Sequence, residues 1–514
     1  MLSRIAGWLG PKRDPRLLQA ITFLRSAGQG MALVDVSLYL KDLGWGGGAI
    51  GAVLAGAGLT RMLGMLFARQ GNAYLGSKRF LLLFEALTAI AALAAAAASY
   101  PAVLAVALIA AGLGSGHSGS GGPAAPIERR WLAAYSRNGS NRLFHVNALL
   151  GSFGMGAGAL LGCLPSWGLG SLQGADRFRP LFALIAFVSL LSVALTLCIQ
   201  GGKRKAAGDA VSSGSGTAGR SARSGAPAAA AANSAEIAGD APASASPPQA
   251  RAGRDGPKLL ALVGVSAAAL AASAVLRRSG FNQLSLFVPI AAFVCILAAN
   301  AVRLLIRSRS SAPDERATED LKHLSNVLSG VVVTLTGTMT SYWFSSRFEA
   351  SAGSIGVVMS LSYIAAGLLS LRGTSSARKP ASVRSVLLMQ FTAIAFLLAM
   401  PWAASFWLAA CLEIGCTAFN LGTRGNRTAI MMEEPRRGPR SGFATFYYLL
   451  IRIGAVLWPG AFGRWVEAGE YVAPFYIAAG LQAASALLYA RVFRRSPSSS
   501  ARNPEVEAAP AAGE

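Results

Sequence analysis

The sequence predicts an all-α membrane protein built as two six-helix bundles related by a pseudo-two-fold axis, with two further helices between them. Three observations predict it. About a dozen apolar stretches reach the roughly 20 residues that a helical crossing requires. Lys and Arg gather in alternate gaps between those stretches. Short patterns of Gly and Arg recur in the same order in both halves of the chain.

The composition agrees: 53% of the 514 residues are hydrophobic and only 14% are charged. The expected crossings are 17–40, 47–69, 79–99, 101–118, 143–164 and 178–200 in the first half. Residues 259–276 and 284–306 follow as an inserted pair. The second half then supplies 325–346, 353–371, 384–402, 405–422, 441–463 and 472–492. That gives fourteen crossings, or twelve if the inserted pair lies on the surface or re-enters. The domain plan is a first bundle over 1–200, a linker over 201–257, the inserted helices in 258–310, a second bundle over 320–496 and a tail over 497–514. The linker is almost wholly Ala, Gly, Ser, Pro and Arg, a composition that buries too little apolar surface to order itself. The tail reads the same way.

The net charge of +24 would suggest nucleic acid in a soluble chain. Here the basic residues are spread over many loops rather than gathered on one face, so they read as topology and nucleic-acid binding is excluded. Their distribution puts both termini in the cytoplasm. Residues 1–16 are charged and the apolar run after them is too long for a secretory signal, so it is expected to stay as the first crossing. The five Cys all fall in apolar segments, and none has a His at metal-ligand spacing, so neither a disulfide framework nor a metal site is expected. No nucleophile–His–carboxylate set is visible. The glycines Gly154, Gly156, Gly158 and Gly162 lie inside an apolar helix with no preceding strand, so they read as close helix packing rather than a phosphate loop.

The repeat carries the bundle plan. Arg129, Arg142, Gly156 and Gly162 recur as Arg427, Arg440, Gly454 and Gly460, each displaced by 298. "GGAIGAVLAGAGLTRMLG" and "AGSIGVVMSLSYIAAGLL" place Gly51 opposite Gly356 with a slightly different displacement.

Charges inside apolar segments mark the candidate site, because an unpaired charge at the bilayer centre costs about 2.5–3.5 kcal/mol even on the lenient scale. Arg25 and Asp35 share the first helix, about 15 Å apart along its axis, so each needs a partner elsewhere or a wet cavity. Arg61, Glu85, Glu413 and Arg452 complete the set. Arg25, Asp35, Arg61 and Arg452 are read as the substrate or proton pathway, with Asp35 as the proton-carrying or cation-contacting group. The competing reading is that Asp35 lies near the outer surface and Arg25 merely ties neighbouring helices together. Glu85, near the inner face, reads as structural, and His145 and Asn147 open the fifth helix.

Four stretches resemble the major facilitator superfamily. "FLRSAGQGMALVDVSLYLKDLGWGGGAIG" is similar to its first helix and second-helix entry. "GMLFARQGNAYLGSKRFLLL" sits where the family carries its signature loop, keeping Gly64, Gly76, Lys78 and Arg79 but lacking the acidic residue. "APIERRWLAA", with Glu128, resembles the loop between the fourth and fifth helices, and "YLLIRIGAVLWPG", with Arg452, the eleventh helix. The resemblance implies gating roles for Gly64, Gly76, Lys78, Arg79, Glu128, Arg142 and Arg440. It implies a secondary transporter, not an enzyme, that moves a small molecule across the cytoplasmic (inner) membrane by alternating access. Proton-coupled efflux by a monomer without cofactors is the first expectation. Uptake by symport or facilitation of a small polar solute is the alternative, and a non-transporting membrane sensor a further one.

Overall fold

A computed structural model of the chain describes residues 13–98, 100–116, 127–128, 131–132, 142–167, 174–199, 268, 272, 275–276, 278–280, 282–307, 315–375, 383–433 and 443–494. The linker, the tail, Arg129, Arg440 and nearly all of 259–276 lie outside them. For Arg142, His145, Arg427 and Arg452 only the backbone is described.

The described residues of the first half form six main helices and one short connector, besides single turns. They are α1 (Arg13–Asp42), α2 (Gly47–Leu66), the connector α3 (Ala68–Leu75), α4 (Ser77–Ala97), α5 (Pro101–Ala111), α6 (Arg142–Leu161) and α7 (Arg179–Leu197). After the inserted α8 (Asn282–Arg307) come α9 (Glu315–Gly337), α10 (Thr340–Phe348), α11 (Ala352–Ser375), α12 (Val383–Ala399), α13 (Phe406–Glu433), α14 (Phe443–Glu467) and α15 (Ala473–Arg494). Among the described residues, nine helices are long and apolar enough to span a membrane, or ten with α9 and α10 taken as one element bent by 42°. Large apolar side chains such as Leu83, Ile90 and Leu388 stand exposed on α4 and α12, as lipid contact requires. Trp402 Nε1 donates to Tyr476 Oη at 2.9 Å beside exposed Trp407, an aromatic cluster of the kind found at membrane interfaces.

Three crossings differ in their bounds: α13, expected over 405–422, runs on to Glu433, the crossing expected over 325–346 breaks between Gly337 and Thr340, and the fourth ends early. The fourth crossing was expected over 101–118, but α5 stops at Ala111, about 16 Å of helix. Gly112, Gly114 and Gly116 all take positive φ (63°, 75° and 127°), which unwinds the chain there. Hydropathy counts such glycines as helix-compatible, whereas their backbone freedom ends it.

The halves meet along two equivalent helix pairs, α2 with α14 and α11 with α6. The repeat explains why. Gly51 on α2 approaches the backbone at Pro459 and Gly460, while Gly356 on α11 approaches Ala159 on α6 and Cys163 just past its end. Gly51 and Gly356 are the pair aligned in sequence, and Gly162 beside Cys163 aligns with Gly460. The same packing is used twice. Within the first half, α6 lies against α1 because Gly154 and Gly158 leave room for the carbonyls of Phe23 and Ala27.

Candidate functional site: a seam and two polar cavities

In the first half, Arg25 on α1 is held by two carboxylates. Its Nε donates to Glu85 Oε1 at 2.5 Å and its Nη2 to Glu128 Oε1 at 2.6 Å. All three side chains are at least 89% buried, being 11%, 5% and 4% exposed. Arg61 on α2 donates to the carbonyl of Ser115, just past the broken end of α5. With its amide turned to satisfy both groups, Gln29 Oε1 accepts from Arg61 at 3.3 and 3.2 Å. Arg25, Gln29, Arg61 and Glu85 border a cavity of about 70 Å³ shared with Thr60 and Ser189. The cavity lies inside the first bundle, away from the junction between halves. Arg61 therefore has a structural duty the sequence did not signal: it ties α2 to the chain that unwinds past the end of α5.

Asp35 lies elsewhere, nearly three turns beyond Arg25 along α1. It is 1% exposed, and neither carboxylate oxygen has a hydrogen-bond partner among the described residues. A Cβ built on Gly162 would stand 2.8 Å from Asp35 Oδ2, so the carboxylate is pressed against α6. Next to it, Cys163 Sγ donates to Gly353 O at 3.2 Å across the junction, and Gly353 N–H donates to Ser166 Oγ at 2.8 Å. Ser341 Oγ donates to Leu33 O at 3.3 Å, again from the other half. The carboxylate thus sits beside a seam at the end of the fold opposite the two termini.

That seam is closed. Lys41 Nζ at the end of α1 donates to Ser345 O and Ser345 Oγ, both at 2.8 Å. Glu467 Oε2 at the end of α14 accepts from the N–H of Gly48 at 3.0 Å. Each contact places a charge at a helix end of the other half with the sign that end favours. Deeper along the seam, Leu33 and Met155 of the first half pack on Tyr363 and Leu421 of the second.

In the second half, Glu413, Thr417 and Asn420 form one stripe of α13 facing α9 and α11. Glu413 is 3% exposed, and its Oε1 accepts from Thr417 Oγ1 at 2.7 Å. Gln482 Nε2 donates to Asn420 Oδ1 at 3.1 Å. A cavity of about 20 Å³ opens onto Glu413, Thr336 and Tyr363. The i, i+4, i+7 spacing of Glu413, Thr417 and Asn420 was available in the sequence as a sign of a polar face.

The loop-motif residues are dispersed. Gly64 is within α2, Gly76 takes a positive φ of 77° between α3 and α4, and Arg79 is exposed. Lys78 Nζ donates to the carbonyls of Leu197 (2.8 Å) and Ile199 (3.0 Å), which caps the end of α7 within the same half. Lys78→Met is expected to cost about 0.3–1 kcal/mol of stability, the value of a cation at an exposed helix terminus, with little loss of function. Thermal unfolding in detergent checks it. Glu128 joins Arg25 rather than another loop, and the side chains of Arg142, Arg440 and Arg452 lie outside the description.

No family model matches the sequence, and no curated protein matches it significantly. Solved structures do match. A proton-dependent oligopeptide transporter aligns at a TM-score of 0.56 and 14% identity, covering 94% of this chain and 99% of that one. The chain has the major facilitator fold. A D-xylose–proton symporter aligns at 0.54 and 12% identity over 94% and 98% of the two chains. The nucleoside transporter NupG aligns at 0.52 and 14% identity over 94% and 100%. All three neighbours are membrane transporters, and none is an enzyme.

Proposed function

We propose that this major facilitator chain is a secondary transporter that carries a small polar solute through the cytoplasmic membrane by alternating access, driven by protons. The observation that carries the reading is Asp35, a carboxylate buried beside the closed seam without a hydrogen-bond partner among the described residues. A buried unpaired anion is costly, whereas the same group in water is not. The charge that Asp35 can hold therefore depends on whether the seam is closed or open. Closing over a protonated Asp35 and releasing the proton on the other side couples the two events.

The distribution of Lys and Arg supports a cytoplasmic location for both termini, which makes the closed seam the outer one. Two of the structural neighbours are by name proton-coupled, in keeping with this scheme. The lining supports a polar solute, since both cavities present charged and amide groups; we propose its symport, the sequence's alternative to proton-coupled efflux. A single chain suffices, since each half supplies one side of the seam.

One proton crossing a potential of 100 mV supplies about 2.3 kcal/mol, enough to sustain a roughly 50-fold solute gradient. In proteoliposomes offered labelled sugars, nucleosides, short peptides and amines, the native protein is expected to accumulate its solute and acidify the lumen. Asp35→Asn, neutral in both access states, is expected to keep solute exchange while accumulation falls to about onefold. Unchanged accumulation by Asp35→Asn removes Asp35 as the coupling group.

A further inference from the structure

We infer that the cavity between α9, α11 and α13 receives the ammonium group of a small organic cation, which names the solute class of the transporter proposed above. The inference rests on that transport reading for its biological meaning, but it is read out by binding alone.

Hydrogen-bond supply selects the ligand. The two threonine hydroxyl donors on this cavity are already committed. Thr417 Oγ1 gives its proton to Glu413, and Thr336 Oγ1 gives its own back to Val332 O at 3.1 Å. Asn420 Nδ2 donates to Cys416 Sγ at 3.4 Å, while its oxygen is taken by Gln482. The acceptors that remain toward the space are the second oxygen of Glu413 and the lone pairs of the two hydroxyls. Glu413 has no cationic partner among the described residues, although it is nine-tenths buried.

The backbone adds to this. Gly337, the last residue of α9, lies on the cavity wall, where the helix ends at its 42° bend. A helix C-terminus carries partial negative charge and favours a cation. An acceptor-rich, negatively polarised space around the Glu413 carboxylate selects a group rich in donors and positive in charge, which is an ammonium.

The rest of the wall decides between an organic ammonium and a bare metal cation. Val333, Met359, Leu421 and the Tyr363 side chain make much of the lining apolar. A hard cation such as Na⁺ needs several oxygens around it, whereas an alkylammonium gains from apolar contact and from an aromatic face. The volume of about 20 Å³ admits a headgroup rather than a whole solute. The remainder would extend past Tyr363 and Leu421, which also pack against Leu33 and Met155 at the seam. Occupancy of the cavity and separation of the halves are thereby adjacent events.

The test is a matched pair of probes on the purified full-length protein in detergent, at fixed ionic strength in potassium chloride. Binding of 1,4-diaminobutane and of 1,4-butanediol is measured by shift of the thermal unfolding midpoint, with sodium chloride as a third arm. The native protein is expected to bind the diamine at least about tenfold more tightly than the diol, the scale of one charge-assisted hydrogen bond. Glu413→Gln, which keeps shape and removes the charge, is expected to bring the two within about twofold. Should that variant fail to fold, labelling of Glu413 in the native protein by a hydrophobic carbodiimide, read by mass spectrometry, replaces it: the diamine is expected to protect and the diol not. Equal binding of diamine and diol overturns the inference. So does stabilisation by sodium chloride equal to that by the diamine, or a preference for diamine that survives Glu413→Gln or comes without protection of Glu413. Absence of flux in vesicles with the binding preference intact would instead count against the transport reading alone.

Discussion

Gly51→Ala is expected to hold the seam open. A Cβ at Gly51 would stand 2.6 Å from both Gly460 Cα and Pro459 C, and the obstructing atoms are backbone. Carbon atoms in contact prefer about 3.5–4.0 Å, so the α2–α14 crossing must separate by an ångström or so. Overpacking of this kind costs about 1–3 kcal/mol, which is roughly 5–150-fold in the ratio of closed to open molecules. Transport slows because one half of the cycle needs closure. The direct readout is Cys163, fully buried at the seam with its thiol bonded to Gly353 O. In a variant whose other cysteines are serine, Cys163 is expected to react with a membrane-impermeant maleimide far faster when Gly51 is alanine. Gly47→Ala should act in the same direction, since its added Cβ would lie 2.8 Å from Gly463 C and from Tyr342 Oη. Unaltered labelling in both variants would mean that the crossing does not control access.

Arg25→Met is expected to be the most destabilising single change among the charged residues discussed. It leaves Glu85 and Glu128 facing one another in a space they share only because the guanidinium lies between them. Removing one partner of a buried ion pair costs about 3–5 kcal/mol, because the remaining charge keeps its desolvation penalty. The triple variant Arg25→Met, Glu85→Gln, Glu128→Gln has no uncompensated charge and is expected to recover most of that loss. Denaturant unfolding in mixed micelles compares the three proteins. A single variant as stable as the native protein would show that the triad is solvated rather than buried.

The sequence made the helices legible because each crossing writes its own length in apolar residues. It made the pairing of the halves legible at one aligned pair, Gly51 and Gly356, where close backbone approach tolerates no side chain. The end of α5 was not legible, since "GLGSG" is as hydropathic as a helix and differs only in backbone freedom. Nor were the partners of Arg25, which lie 60 and 103 residues away and meet it only after α4 and the segment at Glu128 have packed. Charge inside an apolar segment announced Arg25, Asp35, Arg61 and Glu413 as unusual. It did not sort them. Burial with partners makes Arg25 and Arg61 parts of the first bundle, while burial without a charged partner leaves Asp35 and Glu413 as the groups to test.

The central claim is that the halves move against one another about the seam. Its most direct test is the distance between spin labels at Leu43 and Glu470, exposed positions at the seam end of each half. In lipid, two distance populations are expected, the shorter matching the closed seam, with a ratio that shifts with pH in the native protein and not in Asp35→Asn. A single distance, unchanged by pH and by the substitution, would contradict the account.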